Sequence, residues 1–277
     1  MPYSIALYDS GLGGLTILKK ILELNSELDL VYLADTEYLP LGSRTNTEIQ
    51  ERLKVICDYL FRSGSNLVIL ACNTATVVAI RELQIRWLPN YLELNQSWLG
   101  SRAINILGIS RPLTENLVDN YWPYRDDPGL IMATPATIRA GFYQAEFLKY
   151  GFRNLETIRC HNLAKTIETQ DESQIRQSLS ETLKLQDLEH LKLVILACTH
   201  YPIIKSQIQN FLPRDCLILD QTQAVAIKLL EYIQRHRELD LSQLSSLKLI
   251  TTSDSRSFKQ NTMALFSINQ EPEVVII

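Results

Sequence analysis

The sequence holds little of what most specialised folds require. Glycine and proline number 10 each in 277 residues, and no Pro-, Gly- or Ser-rich tract interrupts the chain, which excludes long flexible linkers. No apolar run approaches the ~20 residues of a membrane span, and the start MPYSIALYDSGLGG lacks the basic residues and long apolar stretch of a secretory leader. A cytosolic protein with no membrane partner is expected. Charge of one sign is not in excess either: Lys+Arg 27 against Asp+Glu 31 leaves a net charge of −4, too weak a field to recruit nucleic acid. The five cysteines, Cys57, Cys72, Cys160, Cys198 and Cys216, are odd in number in a chain too long to need disulfide staples, so reduced thiols are expected. None lies in a CxxC pair or at zinc spacing to a histidine, and no structural metal is expected.

What the chain does have is a 46% hydrophobic content, enough to bury a large core. Short apolar runs alternate with helical-period segments, the pattern of βα units around parallel sheets. The spacing predicts strands at Ser4 to Tyr8, Asp29 to Ala34, Asn66 to Ala71, Ala103 to Ile109, Leu130 to Ala133, Leu155 to Arg159, Lys192 to Ala197, Cys216 to Leu219 and Lys248 to Thr251. Nearly all are apolar on consecutive positions, as strands covered on both faces must be. ERLKVICDYLFRSG, NTATVVAIRELQIRWL, IRQSLSETLKLQDLEHL and TQAVAIKLLEYIQRHRE carry the three- and four-residue apolar spacing of helices. The expected fold class is α/β, with two Rossmann-like domains, mostly parallel sheets and the active site at their interface. Polar, Trp-bearing Asn90 to Ala103 reads as one crossing between domains and Phe211 to Pro213 as another. The expected domains are 1–98 plus 212–277, and 99–211.

Six residues, LVILAC, occur twice, at Leu67 to Cys72 and Leu193 to Cys198, and run on into NTAT and THYP. Ligands of open α/β sheets bind beyond the carboxyl ends of strands, and a thiol between a strand and a helix start gains from the helix dipole. That position lowers a thiol pKa from about 8.5 toward neutrality. A lone free cysteine is more often a small buried residue; two in matched contexts favour function. Cys57 and Cys216 lack the context and read as core, while Cys160 stays open. Two thiols on opposite sides of one carbon can remove a proton from one face and deliver one to the other, inverting a stereocentre without a cofactor. Asn73, Thr74 and Thr199, with backbone N–H groups of the helix starts, suit a substrate carboxylate, and His200 suits orienting or protonating a thiol.

Other strand ends add polar groups. YDSGLGGLT places Asp9 and Ser10 before a glycine turn; Asp9 reads either as a helix cap or as a carboxylate facing a substrate ammonium. GLGG lacks the full GxGxxG pattern and the Lys-Ser/Thr of a P-loop, so no nucleotide cofactor is expected. LADTEYLPLGSRT ends a strand at Asp35 and offers Pro40 and Gly42 in a turn that presents backbone N–H groups. His190 and His236 read as solvated, and Trp87 and Trp98 as packing near the first crossing.

DSGLGGLT, LADTEYLPLG, LVILACNTAT and LVILACTHYP, in this order, resemble the glutamate racemases of the aspartate/glutamate racemase superfamily. The resemblance runs the length of the chain, through ATPATIRAGFY, CHNLAKTIE ending at Glu168, and TTSDSRSF. It implies interconversion of L- and D-glutamate without cofactor, with Cys72 as base for the D-isomer and Cys198 for the L-isomer. It implies substrate contacts at Asp9, Ser10, Leu41, Gly42, Asn73, Thr74, Thr199 and His200, with Asp35, Thr134 and Glu168 as support. A role in supplying D-glutamate for peptidoglycan and a homodimer are further implications. The chain departs from the pattern at Leu41, where the family has Tyr, at Arg111, where it has Glu, at His161, where it has Pro, and at Gln221, where it has Ser. These departures leave open a racemase for aspartate or another amino acid, or a binding protein on the same fold with impaired turnover.

Overall fold

The computed structural model describes residues 4–184, 186–241, 244–253 and 255–277. Leu185, inside the expected helix from Ile175 to Leu191, and Asp254, inside TTSDSRSF, lie outside them. In chain order the strands are β1 (Ser4–Asp9), β2 (Leu30–Ala34), β3 (Ser65–Leu70), β4 (Asn105–Gly108), β5 (Gly129–Ala133), β6 (Leu155–Arg159), β7 (Leu193–Ala197), β8 (Leu217–Asp220), β9 (Leu247–Thr251) and β10 (Glu273–Val274). They form a six-stranded sheet of order β10-β9-β2-β1-β3-β4 and a four-stranded sheet of order β6-β5-β7-β8. Every pair is parallel, as the two-sided apolar strands demand. The expected α/β fold with two parallel sheets is thus observed. Two-residue β10 was not expected, being too short and too exposed to carry a pattern.

The repeated stretch is buried in the same way twice. Along the first copy, Leu67, Ile69 and Ala71 enter the core on one face of the larger sheet, while Val68, Leu70 and Cys72 enter that on the other. Along the second, Leu193, Ile195 and Ala197 face one core of the smaller sheet, and Val194, Leu196 and Cys198 face the other. Side chains of a strand alternate between faces, so all six positions must be apolar when helices cover both, and full burial of each large one contributes roughly 1.5–3 kcal/mol.

Strand pairing corrects the expected boundaries. β4 pairs with β3, Leu67 opposite Asn105 and Leu70 opposite Gly108, so it belongs with the first domain and not the second. β8 pairs with β7, Leu193 opposite Leu217, and belongs with the second. The stretch at Asn90 to Ala103 is not a crossing. It takes in the end of helix Leu88–Leu94 and all of Gln96–Leu99, with Trp87 stacked on Phe61, Tyr91 tilted against both and Trp98 edge-on to Tyr91. The chain crosses instead between Gly108 and helix Ser110–Asn120, whose Leu113 and Leu117 pack on the smaller sheet. It returns after Asp220, because Val225, Ala226 and Leu229 of helix Thr222–Arg235 pack on the larger sheet.

Behind the larger sheet sits a buried ion pair. Helix Asn46–Arg62 opens with a capping box between Thr45 and Glu48, which satisfies two orphan N–H groups, and carries Arg52 inward. Arg52 grips Asp35 with both fork nitrogens, Nε to Oδ2 at 2.9 Å and Nη2 to Oδ1 at 2.6 Å. Thr252 and Tyr8 also donate to this carboxylate, and the guanidinium lies 4.2 Å over the Tyr38 ring. Removing one member of a buried pair strands the other charge, at a cost of about 3–5 kcal/mol. Arg52→Met is expected to lose that much in urea unfolding, and the double substitution with Asp35→Asn to recover most of it. A loss below 1 kcal/mol in the single variant would show that the pair is not what holds this face.

Candidate functional site

In a sheet of order β2-β1-β3 the chain leaves β1 to one side and returns on the other, and the crevice opens at that reversal. Asp9 and Ser10 end β1 and Cys72 follows β3 at the reversal of the larger sheet; Thr134 follows β5 and Cys198 follows β7 at that of the smaller. The two reversals face each other. Between them lies a cavity of about 260 Å³ lined by Ser10, Leu41, Gly42, Cys72, Asn73, Thr74, Thr134, Cys198, Thr199 and His200, together with Pro40 and Cys160. Both candidate thiols therefore border one space.

The wall between the domains is polar and closely fitted. Asp9, fully buried, accepts from Gly11 N through Oδ1 at 2.9 Å and from the Thr199 hydroxyl through Oδ2 at 2.9 Å. Burial pushes its carboxyl up to about 6, against the pull of His200 and of these hydrogen bonds. Glu168 reaches from helix Leu163–Thr169 to accept from Leu12 N at 2.6 Å, and its Oε1 lies 2.6 Å from His200 Nε2. Burial disfavours a charged imidazole, but the hydrogen bonds to Cys198 and Glu168 outweigh it and hold His200 well above its ordinary pKa. Its Nδ1 lies 3.9 Å from Cys198 Sγ.

Cys72 stands at the N-terminus of helix Asn73–Glu82, yet its thiol moves opposite to the dipole-based expectation. Burial pushes it far above its ordinary range and the charge of Asp9 pushes further; hydrogen bonds from Ala75 N–H and from Ser10 only partly oppose them. The expectation of a lowered thiol at this position is corrected: desolvation exceeds what a helix start supplies. Cys198 has a cation beside it and Cys72 a carboxyl, so the thiols have unequal surroundings.

Next to Cys72, Asn73 donates to the Tyr143 hydroxyl at 2.6 Å, while its Oδ1 is buried with no hydrogen-bond partner among the described residues. A buried acceptor without a partner is costly, and its residue is one that lines the cavity. Thr74 bonds the hydroxyls of Thr134 at 2.8 Å and Thr137 at 3.1 Å, tying the helix to the other domain. Asp35 faces Arg52 and does not line the cavity, while Asp9 and Glu168 lie in the wall between the domains. Tyr143, Thr137, Arg139 and Lys165 were missed by sequence reasoning. ATPATIRAGFY held three of them without a pattern to single them out. Cys57 and Cys216 lie in cores and Cys160 in the cavity wall. His190 and His236 are surface residues beside Asp187 and Glu238.

Two parallel-sheet units meeting at their reversals over one cavity define a two-domain α/β protein with its candidate site in the cleft between the domains. No family profile matches the chain. It is 33% identical over 270 residues to the glutamate racemase of Phenylobacterium zucineum, spanning 91% of this chain and 92% of that one. The chain belongs to the glutamate racemases. A glutamate racemase isoform from Bacillus anthracis superposes with a TM-score of 0.81 at 24% identity, over 99% of this chain and 98% of that one. The glutamate racemase from Francisella tularensis, solved in complex with D-glutamate, gives 0.79 at 22% identity, over 99% and 97%. These two likenesses bear on the fold. No helix among the described residues is long and apolar enough to cross a membrane.

The glycine turn owes its composition to this contact. A Cβ on Gly13 would stand 2.5 Å from His200 Nδ1 and 2.6 Å from Thr199 Oγ1, and one on Gly11 would collide with Glu168 Oε1. The turn is where the second domain docks. Gly13→Ala is expected to push the domains apart, and since a displacement near 1 Å can cost 10²-fold in rate, initial-rate polarimetry should read a loss of about that size. Retained wild-type turnover would show that the contact does not set the geometry.

Proposed function

We propose that this chain interconverts L- and D-glutamate without a cofactor by proton transfer between its two cysteines. The observation that carries the reading is the placement of Cys72 and Cys198 at opposed sheet reversals bordering one cavity. A proton removed by one thiolate leaves a planar carbanion, and the thiol on the other side returns a proton to the opposite face. The carbanion's charge spreads into the α-carboxylate, which the backbone N–H groups at Asn73, Thr74 and Thr199 suit. The unpartnered Oδ1 of Asn73 offers an acceptor to the substrate ammonium.

The unequal surroundings of the thiols give each a starting role. His200, held well above its ordinary pKa, stands 3.9 Å from Cys198 as the proton partner of that thiol, while burial keeps Cys72 protonated and ready to deliver its proton. For the D-isomer the sequence runs in reverse. A substrate ammonium entering near Cys72 would supply the positive charge that site lacks. Glu168 acts through His200 by holding the ring, and Asp9 acts through Thr199; both are positioning residues. Supply of D-glutamate for peptidoglycan is the role that family membership supports.

Cys72→Ser and Cys198→Ser are each expected to lower racemisation by at least about 10³-fold, the scale of losing an acid–base group. Proton NMR in heavy water should then show Cys72→Ser exchanging the α-hydrogen of L-glutamate alone, and Cys198→Ser that of D-glutamate alone. The opposite pattern would reverse the assignment, and racemisation by either variant would end the two-thiol reading.

The Asp9 carboxyl, pushed up to about 6, gives a pH dependence with a definite sign. Above that value Asp9 is ionised and holds the Thr199 hydroxyl by a charge-assisted hydrogen bond; below it the proton weakens that hold. Glutamate kcat/KM is therefore expected to fall as pH drops through about 6, and Asp9→Asn to lower the plateau and flatten that limb. An unaltered acid limb in the variant would assign it to another group.

A further inference from the structure

The cavity that Cys72 and Cys198 border carries charge of one sign at its rim. Arg139, on helix Pro135–Ala140, and Lys165, on helix Leu163–Thr169, both line it and both are exposed. Among the described residues no aspartate or glutamate lines it. The two nearby acids are committed elsewhere, Asp9 to Gly11 and Thr199, and Glu168 to Leu12 and His200.

Among the described residues Lys165, like Lys19 and Lys184, has no carboxylate partner, and of these three it alone lines the cavity. Eight other lysines, Lys20, Lys54, Lys149, Lys192, Lys205, Lys228, Lys248 and Lys259, pair with a carboxylate. Glu168 follows Lys165 by the helical spacing that pairs lysines elsewhere. That glutamate is turned inward onto His200. Arg139 makes one hydrogen bond among the described residues, Nη2 to the Arg44 carbonyl at 3.2 Å, which spans the mouth from the second domain to the first. Its remaining donors carry charge without a counterion at the entrance.

We propose that Lys165 and Arg139 form a cationic rim that draws amino acids of net negative charge, those bearing a second carboxylate, into the cavity. The proposal rests on the reading that an amino acid binds there. Glutamate carries one net negative charge at neutral pH. Low-dielectric walls concentrate the field of rim charges, which raises the encounter rate and favours acidic over neutral side chains. The net charge of the chain is −4, so this local positive potential opposes the global one and makes its position informative.

The test is calorimetric titration of D-glutamate into the full chain at low ionic strength and at 0.5 M NaCl. One unit charge a few ångströms away through water changes affinity by about 3-fold, and a reversal by about 10-fold. Salt at this level shortens the Debye length to roughly 4 Å and should erase most of either effect. Lys165→Gln and Arg139→Gln are thus expected to weaken binding about 3-fold and Lys165→Glu about 10-fold at low salt, with the variants converging on the parent at high salt. Lys184→Glu makes the same charge change at an exposed lysine that does not line the cavity, and should leave the affinity as in the parent. Parental affinity in Lys165→Glu at low salt, or a loss that persists in 0.5 M salt, would overturn the rim. Charge-dependent binding without α-hydrogen exchange in the unmodified chain would leave the rim standing and overturn the two-thiol reading. No binding by the unmodified chain would overturn both.

Discussion

The structure depends on a close approach of the second domain to the turn after β1, where Gly11 and Gly13 bear no side chains at the points of contact. Gly11 and Gly13 leave room for Glu168, Thr199 and His200 of the other domain, and the space so freed is crossed by charge-assisted hydrogen bonds. Asp9 reaches Thr199, and Glu168 reaches Leu12 N, at 2.9 and 2.6 Å. Each of these carboxylates also serves its own side of the crossing, Asp9 by holding Gly11 and Glu168 by holding His200. The domains therefore cannot move apart without undoing the local order of the residues next to both thiols. Domain position and thiol environment are one constraint.

The same constraint decides how the thiols differ. A helix start stabilises negative charge by at most about 2 kcal/mol in partly buried settings, and removal of a charged group from water costs more unless a partner compensates. Cys72 has the helix start but lies beside Asp9, which is itself pushed up to about 6 by burial. Cys198 has His200, whose charge is supported by Glu168. The inequality of the two sites thus arises in the wall between the domains, outside the cavity lining.

Much of this was legible in the sequence, and the limits have physical causes. The nine expected strands all form, because two-sided burial writes itself into consecutive apolar residues such as Leu67 to Ala71. Sheet membership was not legible: β4 and β8 were assigned to the wrong domain because pairing is a long-range choice that neither strand's own residues encode. Asn90 to Ala103 looked like a linker because most of its polar residues face solvent, while Tyr91, Trp98 and Leu99 cap a core whose other wall, Phe61, is distant in sequence. Strand-end residues at the cavity were found because sheet topology fixes where a strand's end must lie. Asp35 ends a strand too, but faces Arg52, a partner that only the fold supplies. Tyr143, Arg139 and Lys165 come from helices that approach the cavity sideways, where no periodicity marks them.

The two copies of LVILAC meet the same structural demand, since each is the central-strand partner at a reversal of strand order. Their five apolar residues satisfy two buried faces, and either sheet would accept the other's. Beyond the cysteine the requirement changes. Cys72 leads directly into helix Asn73–Glu82, whose first residues aim an amide and a hydroxyl across the cavity. Cys198 leads into Thr199 and His200, which face the glycine turn of the other domain before the chain coils at Tyr201–Ile204. One thiol is thus served by its own helix and the other by an interdomain network. Identical strands place the two thiols alike, while the residues that follow them give each thiol different neighbours.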